Sequence, residues 1–176
     1  MKAMQILMVA AAIFSFNGFL SAGEKLDIKG SFGPELKNGE AEGWYPNKPG
    51  NWDAAGTLAL NKIPDTEKYA LQVTSKTKAM YLYGKQWPIT AGDKCIIKAM
   101  VKGKGTGSLG EYSYPGGGYL RKEFTATEEW TEFTAEILIP KNSPEIDKIS
   151  IVITVSPVAS IEFKDVSAEI VKKQQE

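Results

Sequence analysis

The chain of 176 residues carries 21 basic and 21 acidic side chains, no histidine and one cysteine. Balanced charge leaves no basic excess to hold a phosphate backbone and no polybasic patch for lipid, so no nucleic acid partner is expected. The missing histidine removes Ser-His-Asp and Cys-His catalysis and imidazole metal sites, and a single cysteine closes no internal disulfide.

The first residues read as a signal peptide over 1–23. Lys2 is the positive region, Ile6 to Phe14 the apolar stretch, and Ser21 to Gly23 supply small residues for cleavage, so the mature chain is expected to begin near Glu24. The apolar run is broken by Ser15 and Asn17 and is short for a bilayer span. A lipid anchor at the cleavage point would need a cysteine, and Cys95 lies far downstream. The expectation is a secreted or periplasmic protein with no membrane attachment after cleavage. About 150 residues then remain, the size of one domain with a proper core.

Residues 24–171 read as β almost throughout, followed by a disordered tail over 172–176. In Lys94 to Lys102, Cys95, Ile97, Ala99 and Val101 share one face, which makes Cys95 a small core residue rather than a reactive thiol. Glycines in Gly103 to Ser108 suggest a hairpin connection after this strand; the Gly-Lys-Ser/Thr ending of a phosphate loop is absent. From Thr131, Phe133, Ala135, Ile137 and Ile139 alternate onto one face, and Ile149, Ile151, Ile153 and Val155 do the same. In the last strand Ile161 and Phe163 occupy odd positions, whereas Val166, Ala168 and Ile170 occupy even ones. One extra residue near Lys164 or Asp165, a β-bulge, accounts for the switch. Strands of this kind separated by turn residues predict an all-β, two-sheet antiparallel sandwich with jelly-roll topology.

The aromatic residues carry the functional suggestion. Sugars present flat C–H faces rimmed by hydroxyls, so their sites pair aromatic platforms with short polar groups. Met80 and Leu82 alternate with Tyr81 and Tyr83, so both tyrosines face out if the first pair faces the core. Tyr112 and Tyr114 likewise share a face, and Tyr119 follows a glycine turn. The same aromatics could instead cover loops or extend the core. A glycosidase needs only two carboxylates, but no pair here sits in an apolar setting that would raise one pKa. A tyrosine-based polysaccharide lyase would need a positive neutraliser, and Arg121 is the one arginine.

Five landmarks occur in order: "GSF" at Gly30, "EGW" at Glu42, "ITAGDKCIIKAMVKG" at Ile89, "EEWTEFTAEILIP" at Glu128 and "SIEFKDVSAEIV" at Ser160. Together they resemble the galactose-binding-domain-like carbohydrate-binding modules of families 4, 9 and 22. The resemblance implies a non-catalytic carbohydrate binder, with Trp44 and Trp130 as framework residues; the single arginine and near-zero net charge favour a neutral glycan. It implies ligands on the concave face of one sheet, through Tyr81, Tyr83, Tyr112 and Tyr114, or at edge loops, through Trp52 with Tyr45. It also implies a structural calcium. The acidic motif that should hold it reads Lys164-Asp165-Val166 here, and Gly33 stands where an acidic residue is usual, leaving Asp165 and Glu35 as candidate ligands. The expected partner is carbohydrate and the expected state a monomer. The alternatives are a structural or protein-interaction sandwich with a protein partner and no sugar binding, and third a polysaccharide-degrading enzyme.

Overall fold

A computed structural model describes residues 23–46, 56–116, 118–143 and 145–173. Among them the chain forms ten strands and no helix: β1 (Glu24–Leu26), β2 (Tyr45–Pro46), β3 (Gly56–Lys62), β4 (Tyr69–Ser75), β5 (Met80–Pro88), β6 (Lys94–Tyr114), β7 (Tyr119–Ala126), β8 (Thr131–Leu138), β9 (Lys148–Val155) and β10 (Ser160–Val171). The leader and Trp52 lie outside the described residues, as does most of the expected tail.

The strands build a β-sandwich whose two antiparallel sheets share β6. In the first sheet, the first half of β6 lies between β8 and β10, and β10 continues to β4 and β1, with β3 beyond β4. The second sheet runs β2-β5-β9-β6-β7 and uses the second half of β6. The chain passes from one sheet to the other between β1 and β2, β2 and β3, β4 and β5, β7 and β8, β8 and β9, and β9 and β10, in keeping with a jelly roll.

The shared strand corrects one expectation. Gly103 to Ser108 is no hairpin connection; it is the middle of the 21-residue β6, where the strand bends from one sheet into the other. Gly103 and Gly105 take φ values of 142° and 104°, which L side chains rarely adopt. A Cβ on Gly103 would stand 2.2 Å from the carbonyl oxygen of Ser160. The glycines are there because the bend presses against the start of β10.

The alternation predicted from the sequence is found. Cys95, Ile97, Ala99 and Val101 of β6 face Ile149, Ile151, Ile153 and Val155 of β9 across one core. Burial pushes the Cys95 thiol up to about 12, with Glu111 adding to the shift, so the thiol stays protonated and inert. The β10 bulge is present: pairing with β6 slips between Lys164 and Ser167, and Asp165 takes φ 49°. The parity switch then returns Val166, Ala168 and Ile170 to the core beside Ile161 and Phe163.

Two tryptophans read as framework part company. Trp44 is fully buried and donates its indole N–H to the Lys29 carbonyl at 3.2 Å. Trp130 shares the parity of Glu132 and Thr134, the outward residues of β8, and is only half-buried. Lys164 Nζ lies 4.2 Å from its ring centroid and Lys102 Nζ 5.9 Å, so two lysines cover it outside the core.

One buried carboxylate ties the sandwich together. Asp93 is 1% exposed and accepts from the backbone N–H groups of Thr90 and Lys173, both at 3.0 Å, and from Lys172 Nζ at 3.1 Å. It pins the residues after β10 to the turn that precedes β6.

Candidate functional site

The outer face of the second sheet gathers six of the seven tyrosines. Its centre is made of small residues. Ser150, Val152 and Thr154 of β9, with Ser108 and Gly110 of β6, form a floor of short side chains. The flanking strands carry the large ones. Tyr81 and Tyr83 rise from β5 on one side, and Tyr119, Arg121 and Glu123 from β7 on the other. Tyr112 and Tyr114 stand at the end of β6.

This pattern follows from period-two alternation in strands whose other face is buried. Met80 and Leu82 are fully buried, which forces Tyr81 and Tyr83 outward, as expected. Register then decides which tyrosines meet. Tyr83 lies opposite Val152 and Tyr112 opposite Ser150, so the two reach toward each other over β9.

The rings pack edge to face. Tyr83 and Tyr112 have centroids 5.9 Å apart, Tyr112 and Tyr114 4.9 Å, and Tyr81 and Tyr119 6.1 Å. Tyr119 lies down across β6. Its hydroxyl shares a short hydrogen bond with Thr154 Oγ1 and lies 3.3 Å from Ser108 Oγ. Gly110 permits this, because a Cβ there would sit 3.0 Å from Tyr119 Cε2 and 2.8 Å from Arg121 Cβ.

Tyr45 is placed differently from the expectation. It lies directly opposite Tyr83 in the β2–β5 pair, so it extends the tyrosine face. It is 56% exposed. Its far side lines a concavity of about 230 Å³ with Asp27, Ile28, Lys29, Glu42, Gly43 and Lys85.

Alternation along the chain does not single out Tyr119, Arg121 and Glu123, which the β6–β7 register brings to the same face. Arg121 directs Nε and Nη2 at Glu123 Oε1, at 3.1 and 3.0 Å, and its guanidinium sits 5.2 Å from the Tyr119 ring centroid. With Tyr81, Ser108, Thr154 and Ser156 the pair lines a polar concavity of about 90 Å³. A larger one, about 330 Å³, lies on the other sheet between Lys25, Ile96, Lys98 and Glu169. It has no aromatic lining, unlike the tyrosine face.

Both calcium candidates lie on the surface. Asp165 is exposed and its carboxylate is held by Lys68 Nζ at 3.3 Å, and Glu35 is exposed. Among the described residues, no group of three or more acidic, cysteine or histidine side chains gathers to hold a metal ion.

Glu111 belongs to the same strand but to the opposite face. It pairs with Ile151, points into the core and is completely buried. Ser113 Oγ donates to its Oε2 at 2.8 Å, while Oε1 has no partner. Burial pushes its pKa up to about 7 against the opposing pull of the Ser113 hydrogen bond.

No protein-family model and no curated protein matches the sequence. Solved structures do match in fold. A family 4 carbohydrate-binding module (CBM4) aligns with TM-score 0.52 and 13% identity, covering 81% of this chain and 97% of that one. The CBM22-1 xylan-binding domain of Paenibacillus barcinonensis aligns with TM-score 0.55 and 13% identity, covering 88% and 99%. A cyclase from Fischerella sp. TAU aligns with TM-score 0.68 and 10% identity, covering 88% and 100%. The fold is therefore one that binding modules and enzymes both use, and the chain has the β-sandwich architecture of the carbohydrate-binding modules that its sequence landmarks resemble.

Proposed function

We propose that the protein is an exported, non-catalytic module that binds a neutral carbohydrate on the tyrosine face of its second sheet. One observation carries this reading: six tyrosines from β2, β5, β6 and β7 converge over a floor of short polar residues. Aromatic rings offer faces to the C–H surfaces of sugar rings, and the exposed Arg121–Glu123 pair places polar groups beside them. The balanced net charge suits a neutral ligand.

Catalysis is left out for a physical reason. Glu111, whose raised pKa would suit a proton donor, faces the core on the other side of the sheet from the tyrosines. Export rests on the leader anatomy, and the start of β1 at Glu24, just past the proposed cleavage point, supports it. A secreted or periplasmic monomer is the form proposed.

A second reading, a structural or protein-interaction domain of the same fold, is favoured by one feature. The rings already contact one another edge to face, and the polar concavity among them is small. Affinity electrophoresis against neutral polysaccharides separates the two. The carbohydrate reading expects retardation of the wild-type protein, reduced about tenfold in apparent affinity by Tyr83→Ala and by Tyr112→Ala, with melting temperatures within a few degrees. Unretarded wild-type protein across cello-, xylo-, manno- and gluco-polysaccharides would leave the interaction domain standing. A variant that unfolds would show that its tyrosine supports the sheet.

A further inference from the structure

We propose that the Arg121–Glu123 pair is the specificity-determining subsite of the tyrosine face, reading two adjacent hydroxyls of a neutral sugar and selecting against uronates; this rests on the carbohydrate-binding reading above. The two residues are two apart on β7, so both side chains leave the same face of the sheet. They lie opposite Gly110 and Ser108, the smallest part of the floor. The bare Cα of Gly110 gives Arg121 room to settle beside the Tyr119 ring.

The geometry of the pair is asymmetric. Both Arg121 donors, Nε and Nη2, converge on one carboxylate oxygen, Glu123 Oε1. Glu123 Oε2 and the Arg121 Nη1 amino group have no partner among the described residues. A strong acceptor and a strong donor are thus presented together on one face of β7. A sugar with neighbouring hydroxyls fits this arrangement. One hydroxyl donates to Oε2, the next accepts from Nη1, and the Tyr81 ring lines the same concavity.

The charge of the pair sets the ligand class. Arg121 is the one arginine in the chain, and its counter-charge is already supplied by Glu123. A uronate carboxylate would have to displace Glu123 or sit next to it, and like charges at such a distance repel. A neutral diol meets neither obstacle.

The test is a change of sign. Isothermal titration uses cellohexaose, xylohexaose and mannohexaose as neutral probes and hexagalacturonate as the acidic one. Glu123→Gln removes the acceptor charge and frees the guanidinium. Binding of the best neutral probe is expected to weaken about tenfold, while hexagalacturonate binding strengthens. Arg121→Lys keeps the charge but loses the planar fork, and should weaken the neutral probe with little gain for the acidic one. Melting curves of both variants confirm that they are folded. Neutral-probe affinity within twofold of wild type in Glu123→Gln overturns the subsite. If Tyr83→Ala still weakens binding in that case, the carbohydrate reading survives. Tighter wild-type binding of hexagalacturonate than of the neutral probes also overturns the subsite. A wild-type protein that binds none of the four probes overturns both readings.

Discussion

Glu111 gives the most direct check on how the sandwich is held together. Its carboxyl is fully buried on the core face of β6, with one oxygen bound to Ser113 and the other unpartnered. Burial raises its pKa from 4.5 to about 7. The folded state therefore holds a proton that the unfolded state has released across that interval, so folding stability falls as pH rises. The contribution is fully present below about pH 4.5 and is lost by the time pH has passed about 7. At 1.36 kcal/mol for each pKa unit, the loss is on the order of 3 kcal/mol. Glu111→Gln removes the titration. Its amide introduces buried N–H donors at a cost of about 1–3 kcal/mol, but that cost is independent of pH. Other titrating groups act equally on both proteins. The quantity to measure is thus the melting temperature of the variant minus that of the wild type, at pH 5 and at pH 8. It should become more positive by roughly 5–10 °C at the higher pH, because about 2.5 kcal/mol of the loss falls between the two pH values, at about 2–4 °C per kcal/mol for a domain of this size. Parallel pH profiles for the two proteins would show that Glu111 is hydrated or paired in solution, and the reasoning from burial would fail.

Truncating the chain before Ser160 should abolish cooperative unfolding. It removes the partner of β1, β4 and β6 and takes Ile161, Phe163 and Val166 from the core, a loss of about 5 kcal/mol or more that rivals the stability of a whole domain; a cooperatively melting truncation would contradict the architecture. Asp93→Ala should destabilise by about 1–3 kcal/mol in denaturant titration, because it removes the acceptor of two backbone N–H groups and the partner of Lys172; an unchanged midpoint would mean that β10 is anchored elsewhere. Since Lys68 already holds Asp165, the melting temperature should be the same in excess EDTA and in millimolar calcium. A rise of several degrees in calcium, about what a ligand at a hundredfold excess over its dissociation constant contributes, would show that this ion pair opens for a cation.

What the sequence made legible, and what it concealed, divides along the range of the interactions. Alternation is local, so the apolar faces of β8, β9, β10 and the first half of β6 could be read directly, and so could the outward pairs Tyr81/Tyr83 and Tyr112/Tyr114. The β10 bulge was legible because a parity switch is itself a local signal. Register between distant strands is not local. Nothing near Tyr45 announces that it pairs with Tyr83, and nothing near Arg121 announces that it lies opposite Gly110. Gly103 and Gly105 misled for a related reason. Glycine permits a turn and a bend alike, and only the contact with Ser160 on β10 shows which is meant. The resemblance makes Trp130 a framework residue, yet its parity with Glu132 places it outside the core. Glu111 was passed over because a glutamate between Gly110 and Tyr112 looks like ordinary surface charge until β9 is laid beside it.

Glu111 and Tyr112 are neighbours in the chain and opposites in role, which ties the stability argument to the functional one. The second half of β6 shows one face to the core and the other to the tyrosines. If parity is right, Glu111→Gln should change the pH dependence of melting and leave glycan affinity within about twofold, since it touches nothing on the outer face. Tyr112→Ala should do the reverse: it weakens binding and leaves the pH profile parallel to that of the wild type. Each variant is the control for the other. A Glu111→Gln protein that lost glycan binding, or a Tyr112→Ala protein whose pH profile flattened, would mean that the strand is twisted or mispaired at this point. The floor of the candidate site would then have to be rebuilt from a different register.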